Sequence, residues 1–323
     1  MEHNRRFDFI ALVGPTGVGK SRVAIELLEK HKGAFEVVCM DSCQIYEGAL
    51  IGTDSPTEDE KRKGVFHLYN FLKPSETFSA GDYARMAKET IREINNRGRI
   101  PLLVGGTGFY LSAIMDGFHE VGEIDEEVRK RVVRIVEGYG VERAFRLLNY
   151  LDSDTGGKID KRNPMRVARA LEIIFSTGKR LSDIRKEEKV NDTLNGLIFG
   201  ITLPLCELDE RIENRAIGMI YDGFVEEVRG LMEAGYGLGD PVFKAIGYED
   251  IYYYLMGAMS LNRVVDKIIC DTIGYAKRQL TWFTADERVW WLPCPLVDSI
   301  DYYAYLANVV SGIIKRFMGV VLN

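Results

Sequence analysis

The sequence predicts an α/β protein, a phosphate-loop (P-loop) parallel-sheet core with a mainly helical insert domain, and three observations carry that prediction. Short wholly apolar runs alternate with helical patterns over the first hundred residues, the rhythm of parallel strands joined by crossover helices. The segment Gly14-Pro15-Thr16-Gly17-Val18-Gly19-Lys20-Ser21 directly follows the first of those runs. From about residue 122 to residue 195 the texture becomes helical, with no convincing strand.

Taken in order, Phe9-Ile10-Ala11-Leu12-Val13 has the length and apolarity of a buried strand, and Arg22 to Leu28, after the glycine segment, reads as an amphipathic helix. Val37 to Met40 is the second strand, about Gly81 to Asn96 a helix, and Ile100 to Val104 a further strand. Ile124 to Leu151 reads as one or two helices. Asn163-Pro164 marks a helix start, a capping residue before proline at the first position, and leads into Met165 to Phe175. Leu197 to Ile201 returns the chain to the sheet. Helices are then expected over about Glu207 to Ala234, Ile246 to Met256, Leu261 to Phe283 and Ile300 to Phe317. The expected organisation is a core of residues 1–121 plus 196–323 with an insert of residues 122–195.

Bulk properties narrow the classes. The chain has 323 residues, 46% hydrophobic and 28% charged, ordinary for a globular enzyme and long enough for about two domains. A polar stretch from Met1 to Asp8 runs straight into the first strand and no apolar run approaches membrane-spanning length, so the expectation is a cytoplasmic protein without a membrane partner. Five scattered cysteines without a C-x-x-C pair suit reduced thiols rather than zinc or disulfides. Net charge is −6, yet residues 129–186 hold 15 Lys and Arg against 7 Asp and Glu. That contrast fits either a solvated helix face or a grip on an anionic polymer.

The glycine segment fits G-x-x-x-x-G-K-[ST], a pattern also read as an ATP-binding motif. Backbone N–H groups of such a turn converge on an anion at a helix N-terminus, Lys20 adds a positive charge, and Ser21 offers a hydroxyl to Mg2+. Gly14, Thr16, Gly17, Val18, Gly19, Lys20 and Ser21 are therefore the expected diphosphate-binding residues, with Ser21 the metal contact. Three strands end in polar residues: the glycine loop, Asp41-Ser42, and Gly105-Gly106-Thr107-Gly108. Ligands of open parallel sheets sit at the carboxyl ends of strands, so the three loops are expected to meet. A phosphate-loop kinase normally adds an acid at the end of a neighbouring strand; Leu102-Leu103-Val104 lacks one, and Asp41 is the only acid so placed. From the residues alone, Asp41 is a metal-binding acid, a base acting on a nucleophile, or simply a cap for the turn that follows it.

Six segments in register decide among these. The glycine loop, Asp41-Ser42-Cys43-Gln44-Ile45-Tyr46, Ile51-Gly52-Thr53, Leu102 to Tyr110, Asn163 to Glu172 and Tyr275 to Phe283 together resemble the tRNA dimethylallyltransferase (tRNA isopentenyltransferase) family from about residue 8 to 292. The resemblance implies a prenyltransferase of tRNA processing. It would move a dimethylallyl group from dimethylallyl diphosphate to N6 of the adenosine 3′-adjacent to the anticodon and release diphosphate. It implies Asp41 as general base, Thr107 and Arg215 as further catalytic groups on the departing charge, and Arg211 as a second diphosphate contact. Arg211 and Arg215 lie four apart on one helix face, where an ordinary ion-paired surface is the competing account. The same likeness places tRNA contacts at Asp41, Ser42, Cys43, Gln44, Thr107, Arg129, Met165, Arg166, Val167, Ala168 and Arg169. The Lys277-Arg278-Gln279 helix is expected to grip the RNA backbone, and Gln44 to hold the adenine edge through its amide. Tyr46, Phe109 and Trp282 are candidates for base stacking or for the core. The implied partners are the tRNA anticodon stem-loop and dimethylallyl diphosphate, with Mg2+ as cofactor and a monomeric chain. A small-molecule kinase and a prenyltransferase of free AMP or ATP are the alternatives. Three positions depart from the family pattern: Asp54-Ser55 where Ala-Lys is expected, Ile273 where a basic residue is common, and Thr284 where Arg is usual. His67 is assigned no role.

Overall fold

A computed structural model describes residues 7–119, 121, 124–187, 192–294 and 301–318. All six strands run parallel in the order β3-β2-β4-β1-β5-β6: β1 Phe9–Val13, β2 Phe35–Cys39, β3 Phe66–His67, β4 Ile100–Val104, β5 Gly196–Gly200 and β6 Val289–Trp291. The four central strands are five-residue runs buried along their whole length, as a parallel sheet covered on both faces requires. Each fully buried Leu or Phe, such as Leu12, Leu102 or Phe199, contributes about 1.5–3 kcal/mol. The α/β expectation holds, with two corrections at the sheet edges: β3 and β6 are two and three residues long, too short to show an apolar period.

Fourteen α-helices and one 3-10 helix, Pro241–Lys244, accompany the sheet among the described residues. In chain order the α-helices are α1 Lys20–Lys30, α2 Glu58–Lys61, α3 Ala80–Asn96, α4 Gly108–Met115, α5 Glu126–Tyr139, α6 Val141–Leu151 and α7 Ser153–Gly156. The chain continues with α8 Pro164–Thr177, α9 Leu181–Ile184, α10 Leu205–Tyr221, α11 Phe224–Glu233, α12 Tyr248–Leu255, α13 Leu261–Thr284 and α14 Tyr302–Met318. A capping box of Ser79 and Asp82 starts α3, and Asn163 caps α8 by accepting from Arg166 N ahead of Pro164. The single helix expected over Glu207 to Ala234 is two. Gly223 takes φ 104°, a left-handed conformation that ends α10 and starts α11.

The chain divides into two compact units, residues 1–115 with 194–323, and residues 116–193. The second unit has its own core, in which Val132 of α5, Ala144 and Leu148 of α6, and Val167, Ala170 and Leu171 of α8 pack together. Buried Asp152 joins its short helices by accepting from Thr155 N, the Thr155 hydroxyl and Ser182 N. Burial alone would raise its pKa, but those donors outweigh it and hold the carboxyl at about 2. In the first unit His67 pairs with Glu36, a buried carboxylate that also binds Arg97, so its place is structural. No described helix is long and apolar enough to cross a membrane.

Candidate active site

The glycine loop lies between the end of β1 and the start of α1, and its backbone is shaped for close approach. Gly14 has φ 141°, and a Cβ there would stand 2.2 Å from the Ile201 carbonyl oxygen beyond β5. Lys20 Nζ folds back to donate to Gly14 O at 3.0 Å and Pro15 O at 2.9 Å. Burial lowers its pKa to about 8, a shift the Asp41 charge opposes and the Arg215 charge assists. Ser21, the second residue of α1, is half-buried.

Two struts fix this loop. Thr16 N donates to Gln279 Oε1 at 2.8 Å, and Gln279 Nε2 donates to Gly106 O at 3.0 Å, so one buried amide ties the loop after β1 to the loop after β4. Arg215 Nη2 donates to Thr16 Oγ1 at 2.8 Å while its Nη1 meets Asp54 Oδ2 at 3.0 Å. Arg211, on the same helix, reaches the loop only through Tyr303, whose ring packs on Gly19. It binds Glu207 at 2.7 Å and Tyr303 of α14 at 3.1 Å and lies over the Tyr302 ring.

Asp41 follows β2. Its Oδ1 accepts from Cys43 N at 2.9 Å, the turn-capping bond expected of an Asp at a strand end, and no described group hydrogen-bonds Oδ2. Capping therefore occupies one oxygen and leaves the other. Ser42 N donates to Thr107 Oγ1 at 3.1 Å, bringing the loops after β2 and β4 together as expected. Burial pushes the Cys43 thiol up to about 12 and, aided by the Asp41 charge, moves the Tyr275 hydroxyl above the ordinary tyrosine range; both keep their protons.

Thr16, Asp41, Ser42, Cys43 and Arg215 open into one cavity of about 340 Å³. Tyr275, Lys244 and Arg278 add polar lining, and Met219, Phe224, Ile246 and Ile268 supply apolar lining. The loop over residues 50–54 forms another side and is held from α11. Glu227 accepts from Leu50 N, Ile51 N and Gly52 N at 2.8, 2.6 and 3.0 Å, and from the Tyr248 hydroxyl at 2.7 Å. Sequence reasoning does not find Glu227, Asp54, Met219, Phe224, Lys244 or Tyr275. Only Tyr275 falls within a recognised segment; the others come from the 50–54 loop, α10, α11 and the turn at Lys244 and share no recognised motif.

Several expected contacts are placed differently. Gln44 gives its Nε2 to Thr53 O at 3.0 Å and Asp54 O at 2.7 Å, so its amide braces the 50–54 loop instead of standing free for an adenine edge. Gln279 is a buried strut, because it lies on the inward stripe of α13 with Val264, Ile268, Thr272, Ala276 and Phe283. Its neighbours Lys277 and Arg278 are exposed. Val167 is fully buried in the core of the second unit and presents no side chain to a partner. Around it on α8, Met165, Arg166 and Arg169 are exposed and Ala168 half-buried; Arg169 pairs with Glu172 at 3.3 Å, and Arg129 of α5 with Glu126 at 3.6 Å. Tyr46 is buried, whereas Phe109 and Trp282 form an exposed edge-to-face pair with centroids 6.5 Å apart. Of the departures, Ile273 packs on the core, Ser55 is buried against Thr53 and Asn70, and Thr284 is exposed at the end of α13.

Fold and site define a class: a parallel α/β protein with a glycine loop of phosphate-binding pattern at the carboxyl edge of its sheet, and a partly apolar cavity lined by both that loop and an acid. Residues 44–286 match the IPP transferase family. The chain belongs to that family and is a prenyl-transferring enzyme. It is 36% identical to tRNA dimethylallyltransferase 2 of Geotalea uraniireducens, over 97% of this chain and 98% of the relative. Among solved structures it resembles the full-length tRNA isopentenylpyrophosphate transferase of Bacillus halodurans, at 34% identity and TM-score 0.67, covering 96% of this chain and 97% of that one. A eukaryotic dimethylallyltransferase acting on tRNA matches at 25% identity and TM-score 0.78, over 95% of this chain and 79% of that one.

Proposed function

We propose that the chain transfers a dimethylallyl group from dimethylallyl diphosphate to N6 of the adenosine 3′-adjacent to the anticodon of tRNA, releasing diphosphate. The observation that carries this reading is the shared cavity, which Asp41, the arginine-braced Thr16 of the glycine loop and a set of apolar side chains all line. The diphosphate belongs on the loop amides, Lys20 and Arg215, and the prenyl chain belongs against Met219, Phe224, Ile246 and Ile268. Arg215 supports the diphosphate role through its bond to Thr16, and Arg211 adjoins the loop through Tyr303, which packs on Gly19.

In the transfer, the C–N bond to N6 forms as the allylic C–O bond breaks. The amine proton passes to Asp41, and the electron pair leaves on the diphosphate. Adenine N6 is a weak nucleophile, and a positioned base contributes about 10²–10⁴-fold. Thr107 and Tyr275 keep hydroxyl donors beside Asp41, and Lys20 and Arg215 stand where negative charge grows. No cluster of three or more His, Cys, Asp or Glu suited to a metal occurs among the described residues. That donor set fits Mg2+ held chiefly by the diphosphate and water with the Ser21 hydroxyl, since Mg2+ keeps few protein ligands at phosphate sites. Bound there, the ion would neutralise charge on the leaving group.

In the second unit the exposed arginines of α8 and Arg129 suit an RNA backbone, and in the first unit Lys277 and Arg278, taken by themselves, do so too. The target base must leave the loop stack to be alkylated. We take the enzyme to act as a cytoplasmic monomer. The test is incubation with radiolabelled dimethylallyl diphosphate and separate pools of tRNA, AMP and ATP. Label is expected in tRNA at the adenosine beside the anticodon; label in AMP or ATP alone would overturn the RNA substrate, and phosphate transfer from ATP would favour a kinase.

A further inference from the structure

We propose that Met219 limits the length of the prenyl chain this enzyme accepts, by walling the donor cavity off from a second cavity able to take a further isoprene unit. The proposal rests on the donor reading given above.

The second cavity has a volume of about 470 Å³ and adjoins the first through two shared pieces of wall. Arg215 and Met219, one turn apart on α10, line both cavities. In the loop opposite, Gly52 and Thr53 line the donor cavity, while Ile51 and Asp54 line its neighbour. Most of this partition is fastened by hydrogen bonds. Arg215 is held by Thr16 and Asp54, the Thr53 and Asp54 carbonyls by Gln44, and the amides of residues 50–52 by Glu227. Met219 has no such tie: its buried thioether is kept in place by packing alone, so its size decides whether the wall is closed.

The chemistry of the second cavity selects a hydrocarbon tail and rejects a diphosphate head. Leu50, Ile51 and Pro56 give it apolar surface, and apart from Arg215 its ionisable residues are all acidic: Asp54, Glu58 and Asp222. An allylic diphosphate with its head on the glycine loop could therefore extend only its chain past residue 219. With the wall intact, the natural donor carries one isoprene unit.

The experiment compares kcat/KM for tRNA with dimethylallyl diphosphate and with geranyl diphosphate in the parent enzyme, Met219→Ala and Met219→Leu. The parent and Met219→Leu are expected to prefer the five-carbon donor strongly, and Met219→Ala to shift the ratio at least tenfold toward geranyl, with an absolute gain in geranyl transfer. Gly218 supplies a reversal. It lines the second cavity from the same helix and a Cβ there meets nothing within 4 Å, so Gly218→Leu added to Met219→Ala should fill the new room and restore the preference. If Met219→Ala fails to melt cooperatively, Met219→Val carries the same comparison. A folded variant that still transfers dimethylallyl but gains nothing with geranyl overturns the partition alone, as does a parent enzyme indifferent to chain length. A parent enzyme that transfers neither group overturns the donor reading itself.

Discussion

Gln279→Glu should convert a silent strut into a pH-dependent one. The amide oxygen accepts from Thr16 N at 2.8 Å and its nitrogen donates to Gly106 O at 3.0 Å, with the side chain almost fully buried. A carboxylate there keeps the first bond but sets acceptor against acceptor at Gly106. A protonated carboxyl restores both bonds, so burial and the facing carbonyl raise the pKa of the introduced group above its unfolded value of about 4.3. A group raised in the folded state contributes its stability in full below the unfolded pKa and loses it as pH rises through the folded one. A rise of about 2–3 units corresponds to about 3–4 kcal/mol, at 1.36 kcal/mol per unit, lost between pH 4 and pH 8. Urea melts of parent and variant at pH 5 and pH 8 read this difference directly, and titration with dimethylallyl diphosphate at the two pH values reads the loosened loop. A variant within about 0.5 kcal/mol of the parent at both pH values would refute the argument, because the two buried partners would then have found other bonds.

Asp41→Asn retains an oxygen for Cys43 N and so preserves the turn, but it cannot accept the amine proton; prenyl transfer should fall about 10²–10⁴-fold with donor affinity little changed, measured by rapid-quench assay and equilibrium titration. Lys20, with its pKa lowered to about 8, is charged below that pH and loses its proton above it. Above pH 8 the dissociation constant for dimethylallyl diphosphate should therefore rise by up to about tenfold per pH unit, and in Lys20→Met that alkaline rise should vanish. Reversing Arg166 and Arg169 to Glu should weaken tRNA binding and reduce the slope of log affinity against log salt by about 0.7–0.9 for each phosphate that is no longer neutralised; an unchanged slope would make the α8 surface an ordinary solvated face.

What the sequence reveals depends on whether the governing interaction is local. The four long strands are legible because each holds a short apolar run followed by a change of texture, interrupted only by Glu36 in β2, and the glycine loop because its spacing carries its own mechanism. The break at Gly223 is visible only as a glycine inside a helical pattern, and such glycines are often tolerated without ending a helix. Gln279 and Val167 read as RNA contacts because they sit inside recognised segments. Helical period argues otherwise: Gln279 falls three residues after Ala276 and four before Phe283 on an inward stripe. The apolar wall of the cavity has no sequence signature, because Met219, Phe224, Ile246 and Ile268 meet only through tertiary packing.

The clamp between Thr16 and Gln279 spans 263 positions of the chain, and the Glu227 bonds to the 50–52 amides span about 175. A ribosome releases the phosphate loop first and its fasteners last. While the polypeptide is still being made, the nascent enzyme thus holds the recognisable motif without the geometry that gives it use. Competence should arrive late and abruptly, once α13 has emerged and docked.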